Sequence, residues 1–280
     1  MTFRSDTCRS DDPSAARIGA VNYLNTKPLV RGLAEALPAA ELIFDVPSRL
    51  ADRLAAGELD VALAPVIELA RHPEWTVISS ACIGCRGPVL SVKALFRRPP
   101  QQVRRFAVDE GSRTSVVLSQ VLLAEVAGVR PELTPLPLGR AIDDVDADAL
   151  LVIGDRAIDQ DESSFVETWD LGDRWCRWTE LPFVFAVWAA RPGFDASQVE
   201  PELNAARDRG LAELHAIAAE QATAMSLPHD LVLAYLRDNL YFYFAAAERR
   251  GLESYFSKAA QWGLIPSDMG LRFDDRTAER

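Results

Sequence analysis

Histidine, methionine and cysteine are scarce in this 280-residue chain, with three, three and four copies. His72 precedes Pro73 in a loop, and His215 and His229 sit in or beside the carboxyl-terminal region. They form no metal spacing and no Ser-His-Asp order, and the chain has no Walker loop and no G-x-G-x-x-G. The cysteines (Cys8, Cys82, Cys85, Cys176) are too few for a disulfide framework at this length. Cys82 and Cys85 have redox or metal spacing. However, no second pair and no nearby His completes a zinc site, and Arg86-Gly87-Pro88 follows where a redox pair would open a helix. They read as two small residues in a loop. No apolar run approaches the roughly 20 residues that span a bilayer. The first sixteen residues lack the apolar core of a secretory signal, so a cytoplasmic protein is expected, with 1–16 and 267–280 as tails. A basic excess is missing too: the net charge is −11, which argues against nucleic acid as partner. A small anion stays compatible, because a few local donors can hold one whatever the global charge.

What is present is an alternation of strand and helix patterns in a chain that is 49% hydrophobic and 25% charged, the balance of a globular protein. Residues 18–21 read as a buried strand that breaks into Tyr23-Leu24-Asn25-Thr26, with an apolar helix after Pro28. A strand at 42–44 is followed by a helix from Val46-Pro47-Ser48, with Val46, Leu50 and Leu54 on one face and Gly57 as its stop. Strands at 60–65, 75–80 and 88–96 follow. The polar, Pro-rich run 97–102 marks a boundary. A second strand–turn–helix pattern spans 106–126, strands lie at 149–153 and 182–190, and the chain then reads as helical over 201–222, 231–248 and a last helix around Leu252, Tyr255 and Phe256. The charged end beyond Pro266 is expected to add little to the core. Two long strand-like segments bracketing a central block predict an α/β protein of two lobes, 17–95 with 188–266 and 96–187, with a ligand cleft between them.

Candidate residues cluster where strands end, since open α/β sheets bind ligands at their carboxyl edge. Asn25 and Thr26 follow the first strand, and Pro28 already restricts that turn, leaving the Asn25 amide free to face the cleft. Gly111-Ser112-Arg113-Thr114-Ser115 opens a helix. Its N–H groups and hydroxyls can hold an anion, or Ser112 or Thr114 is simply the helix cap. Arg113 can add a charge-assisted bond to a carboxylate or stay a solvated charge. Asp155 closes an apolar strand and either caps the next helix or faces the ligand. Ser91, in an apolar strand after Gly87-Pro88, is either satisfied by backbone or turned to the ligand. No side chain stands out as a strong general base.

The segments RIGAVNYLNTKPL (17–29), VPSRLADRLAAGELDVALAPVIELARHP (46–73), GPVLSV (87–92), GSRTSVVLSQVLL (111–123), ALLVIGDRA (149–157) and WTELPFVFAVWAAR (178–191) occur in the order found in chorismate dehydratases of the futalosine route to menaquinone. The chain resembles that family, and YLNTKPL separates it from the sibling enzyme that releases dihydroxynaphthoate. The resemblance implies a periplasmic-binding-protein-like fold of the second type, without export. It also implies a hydro-lyase acting on chorismate with no cofactor and no metal. In that frame Asn25 and Ser91 carry the chemistry, while Thr26, Ser112, Arg113, Thr114, Ser115 and Asp155 bind substrate. The substrate's own carboxylate stands in for the missing base. Arg86 and Glu180 depart from the pattern, where a small polar residue and Gly are expected. A non-catalytic small-anion binding protein and a related lyase are the competing readings.

Overall fold

In a computed structural model the described residues are 16–267 and 271–274, so the expected leader and most of the final tail lie outside them. The chain runs β1 (Arg17–Val21), α1 (Leu33–Ala36), β2 (Glu41–Asp45), α2 (Pro47–Ala55), β3 (Val61–Pro65), α3 (Glu68–Arg71), β4 (Thr76–Cys85) and β5 (Val92–Phe96). It continues as β6 (Arg105–Asp109), α4 (Arg113–Leu122), β7 (Glu132–Leu136), β8 (Ala149–Ile153), α5 (Asp155–Ile158), β9 (Glu167–Asp170), α6 (Leu171–Thr179) and β10 (Phe183–Ala190). It ends with α7 (Val199–Ala212), α8 (Leu214–Met225), α9 (His229–Ala234), β11 (Tyr241–Tyr243) and α10 (Ala246–Gln261). A 3-10 turn, Leu24–Val30, carries Asn25 and Thr26.

These strands make two sheets. One has six strands in the order β11-β4-β10-β3-β1-β2, and the other five in the order β7-β6-β8-β5-β9. The continuous apolar runs of β3, β8 and β10 are buried at every position, as strands covered on both faces must be. Each fully buried Leu, Ile or Phe there contributes roughly 1.5–3 kcal/mol. β1 pairs in parallel with β2 and β3, and β6 in parallel with β7 and β8. β10 and β5 run antiparallel to their neighbours. The expected lobe limits fall at the end of β5 and inside β10, whereas pairing places the changes of sheet at 86–91 and 171–182.

Four local expectations differ from what is observed. The strand expected to stop at residue 80 continues to Cys85, so Cys82 and Cys85 lie buried in β4 rather than in a loop. Three positions apart on a pleated strand, they face opposite sides. The 88–96 strand begins only at Val92, because Leu90 sits at φ 64, outside strand geometry. The 231–248 helix is interrupted by a wide π turn, Tyr235–Asn239, and by β11, an edge strand built from Tyr241, Phe242 and Tyr243. Aromatic residues suit a half-buried strand as well as a helix face. Beyond Pro266, Phe273 bridges Val77 in parallel and packs on the core, so this end does contribute.

The carboxyl-terminal helices hold the cleft-forming turn in place. Gly210 of α7 lies so close to the 24–30 turn that a Cβ there would come 2.0 Å from the Pro28 oxygen. Only glycine permits that approach. At the other end of β1, Asp60 ties two strands together. It accepts the backbone N–H and Nε of Arg17 at Oδ2 (2.9 and 3.1 Å), and Arg17 Nη2 and Arg191 Nε at Oδ1 (3.0 and 2.9 Å). Burial by itself would raise the Asp60 pKa, but the bonds from Arg17 and Arg191 overcome it and hold the carboxyl down at about 2. A depressed carboxylate stabilises the folded state above its unfolded pKa of about 4, and the contribution is lost as pH falls through the folded value. Asp60→Asn is therefore expected to melt below wild type at pH 6, with the difference closing between pH of about 4 and about 2. Thermal melts across that range check it, and a difference independent of pH would refute the ion-pair account.

Candidate active site

A cleft of about 520 Å³, counting its open mouth, lies between the two sheets. The ends of β1, β3 and β8 reach it through Val21, Pro65 and Ile153, the placement expected at the carboxyl edge of open sheets. Of the expected site residues, Asn25, Ser91, Ser112, Arg113, Thr114 and Ser115 line it. Thr26 and Asp155 are not among its lining residues. Thr26 is fully buried, and its hydroxyl donates to Asn25 Oδ1 at 3.3 Å, so it orients a lining residue. Asp155 accepts the Leu24 N–H at 2.9 Å and thereby ties the 24–30 turn to the second sheet. Burial raises its pKa, against that N–H and Lys27.

The start of α4 is shared between cleft and closure. Ser112 is the helix cap, its hydroxyl accepting the Ser115 N–H at 3.3 Å. The remaining first-turn N–H groups, of Arg113 and Thr114, have no intrahelical acceptor and sit at the positive end of a ten-residue helix. The Thr114 hydroxyl is committed elsewhere: it donates to the Phe185 carbonyl at 3.2 Å and accepts the Ile67 N–H at 3.4 Å. The Tyr255 hydroxyl donates to the Thr114 carbonyl at 2.9 Å. Arg113 is likewise paired, with both Asp52 oxygens at 2.7 and 2.8 Å and with Glu68 at 3.2 Å. It is the one cation lining the described cleft, and two carboxylates already share it. A further backbone bond, Ser48 N–H to Gly111 carbonyl at 3.2 Å, joins the start of α2 to the turn before α4.

No carboxylate and no imidazole line the described cleft. Besides the paired Arg113, its polar side chains are amide, hydroxyl and phenol. Tyr23 is one that the sequence reading passed over, although it stands two residues before Asn25. Burial, with the charge of Asp109 adding and Arg156 opposing, pushes its pKa up to about 12, so the phenol stays protonated. Its ring lies against Gly154, where a Cβ would meet ring carbon at 2.9 Å. Asp109 is buried beside it and paired with Arg156. Phe185 of β10 forms part of the apolar wall. Among the described residues no group of three His, Cys, Asp or Glu side chains is placed to hold a metal ion. No described helix is long and apolar enough to cross a membrane.

A family model described as menaquinone biosynthesis matches residues 16–261. The chain belongs to this menaquinone-biosynthesis family. A chorismate dehydratase of Thermus thermophilus is 28% identical over 256 residues, covering 85% of this chain and 93% of that enzyme. In fold it is similar to a protein of Archaeoglobus fulgidus (TM-score 0.71, 15% identity, 89% of this chain and 98% of that one). It is also similar to the periplasmic aliphatic sulphonate binding protein of Escherichia coli (TM-score 0.61, 16% identity, 91% and 89%). A Candida albicans protein described as having the generic periplasmic binding protein fold aligns at TM-score 0.58, with 12% identity over 94% and 93% of the two chains. The fold of this menaquinone-biosynthesis family member is therefore periplasmic-binding-protein-like, as the resemblance implied.

The two departures from the family pattern lie away from the cleft lining. Arg86 pairs with the buried Glu248 at 2.9 Å and stacks on Tyr241, 3.7 Å from the ring centre, so it is not a free anion ligand. Glu180 is exposed at the end of α6 with φ 58, the left-handed position where Gly is the easier residue. Gly154, at φ 69 and ψ −154 under the Tyr23 ring, lies in a different region, one open essentially to glycine alone. Gly154→Ala is expected to cost about 1–3 kcal/mol from backbone strain alone and to displace Tyr23 from the cleft. A lower melting temperature together with reduced turnover is the expected result. Unchanged values for both would show that the tight contact is not required.

Proposed function

We propose that this protein dehydrates chorismate to 3-[(1-carboxyvinyl)oxy]benzoate, the first committed step of the futalosine route to menaquinone. The observation that carries the reading is a cleft lined, besides the ion-paired Arg113, by neutral hydrogen-bonding groups and without a carboxylate or imidazole among its described lining residues. Removing the ring hydroxyl and the hydrogen on the neighbouring ring carbon makes the ring aromatic, so the driving force lies in the substrate. What the protein must supply is placement and electrostatic stabilisation. The reaction needs no cofactor.

The substrate is a dianion. In our reading, the first turn of α4 offers one carboxylate the N–H groups of Arg113 and Thr114, with the Ser112 and Ser115 hydroxyls beside them. Arg113 contributes its charge while remaining tied to Asp52 and Glu68. Asn25 and Ser91 face the ring, where they hydrogen-bond the leaving hydroxyl and orient the substrate. Tyr23, protonated at neutral pH, has a hydroxyl hydrogen to donate. The enolpyruvyl carboxylate takes the ring proton, and the proton and hydroxyl leave as water. Thr26 and Asp155 act at one remove, through Asn25 and the 24–30 turn. The two lobes, one around each sheet, close over the substrate, and the enzyme works in the cytoplasm.

A non-catalytic anion-binding role is the alternative. Its specific support is the likeness to a sulphonate-binding protein of the same fold. Purified protein given chorismate, without added metal or nucleotide, decides between them by mass spectrometry. The expected result is loss of one water and an aromatic enol-ether product. Chorismate bound but unchanged would favour the alternative. Asn25→Ala is expected to lower kcat about 100-fold or more, in the range for removing one donor aimed at developing charge. Full turnover by that variant would remove Asn25 from the mechanism.

A further inference from the structure

Ser91 is held from two sides. From the second sheet, the Gly154 N–H donates to the Ser91 carbonyl at 2.9 Å, and the Ser91 N–H closes a tight turn on Val89 at 2.7 Å. That turn contains Leu90 at φ 64, a strained conformation for a residue with a side chain. The Asp170 carboxylate stabilises it by accepting the Val89 and Leu90 N–H groups at 3.0 and 2.7 Å. From the carboxyl-terminal region, the π turn Tyr235–Asn239 grips the same crossing at both of its ends. The Tyr235 hydroxyl donates to Ser91 Oγ at 2.8 Å, and Asn239 Nδ2 donates to the Pro88 carbonyl at 2.9 Å. Single π turns inside helices occur frequently at functional sites.

Tyr235 is fully buried, is absent from the cleft lining, and reaches the site through Ser91 and through a side-chain hydrogen bond with Asn25. A buried phenol must place its one hydrogen on an acceptor. Here that acceptor is the Ser91 oxygen. The Ser91 hydrogen is then left for a second partner, and no described protein group takes it. Ser91 lines the cleft, so that hydrogen is available to a bound molecule there.

We infer that Tyr235 is a positioning residue for the dehydration: it fixes the Ser91 hydroxyl as a donor into the cleft. The inference rests on the chorismate reading above. Burial also raises the Tyr235 pKa, which keeps the phenol a donor throughout the neutral range.

The test is a cycle of Tyr235→Phe, Ser91→Ala and the double variant, assayed on chorismate for kcat and KM, with thermal melts alongside. Tyr235→Phe is expected to lower kcat about tenfold or more, the size of one lost hydrogen bond near a reacting group, with KM within about threefold. In the Ser91→Ala background the same change should have a clearly smaller effect on kcat, what remains passing through Asn25, which a merely structural role would not produce. A drop of equal size in both backgrounds, or wild-type kcat in Tyr235→Phe, would overturn the inference. If Tyr235→Phe does not fold, Asn239→Ala loosens the same turn from a partly exposed position. A few-fold fall in kcat is then expected, and unchanged kcat would overturn the inference. Wild-type turnover separates this claim from the one beneath it: an inactive wild type removes the functional reading and this inference together, whereas an active wild type matched by Tyr235→Phe removes this inference alone.

Discussion

Thr114 carries the contact on which the rest of the molecule depends. The backbone connects the two sheets through only two crossings, at 86–91 and 171–182. Their mutual placement has to be set by contacts across the cleft. The Thr114 hydroxyl supplies the central one, since it is buried and satisfied in both directions by Ile67 and Phe185. Such a group is costly to undo, because losing it strands a buried N–H as well as the hydroxyl. Beside it Arg113 bridges Asp52 and Glu68, and Glu68 is itself buried and bound by Arg71. The same helical turn that closes the cleft therefore presents its free N–H groups to whatever the cleft holds.

The chemistry follows from what that closure leaves inside. The charged groups near the cleft are spent on one another: Arg113 on Asp52 and Glu68, Arg156 on Asp109, and Arg86, farther out, on Glu248. The space between the sheets is left with amide, hydroxyl and phenol groups beside the paired Arg113, in a largely apolar frame. Donors of this kind cost little reorganisation, and a low dielectric makes each more effective. They suit a reaction whose driving force is intrinsic and whose difficulty is selecting one outcome. The glycines at 154 and 210 serve this frame, one admitting the Tyr23 ring and the other letting α7 press on the turn that bears Asn25.

The carboxyl-terminal region contributes no residue to the described cleft lining, yet it holds the residues that do. It contributes the edge strand β11, the support behind Pro28, the Tyr255 bond to Thr114 and the π turn that grips the Ser91 crossing. It also pairs Glu248 with Arg86, which explains how an arginine is accommodated at the start of a crossing that leads to the cleft. Glu180 is accommodated differently, by being exposed at a helix end where only the backbone conformation favours glycine.

Local pattern determined much of this protein. The apolar runs at 18–21, 60–65, 149–153 and 182–190 announce buried strands, because full burial on both faces demands them. Gly57 ends a helix for reasons of its own conformation, and YLNT and GSRTS mark strand-to-helix turns that do reach the cleft. Tertiary structure decided which groups in those turns are free. Ser112 became a cap, Thr114 a bond across the cleft and Asp155 a tie to Leu24, since each polar group takes whichever buried partner the packing brings within reach. It also decided what lies behind the site: Tyr235 is 144 residues from Ser91 along the chain, so no periodicity or motif links them. A hydrogen bond across that separation exists only once the sheets, the strained turn and the carboxyl-terminal helices are assembled.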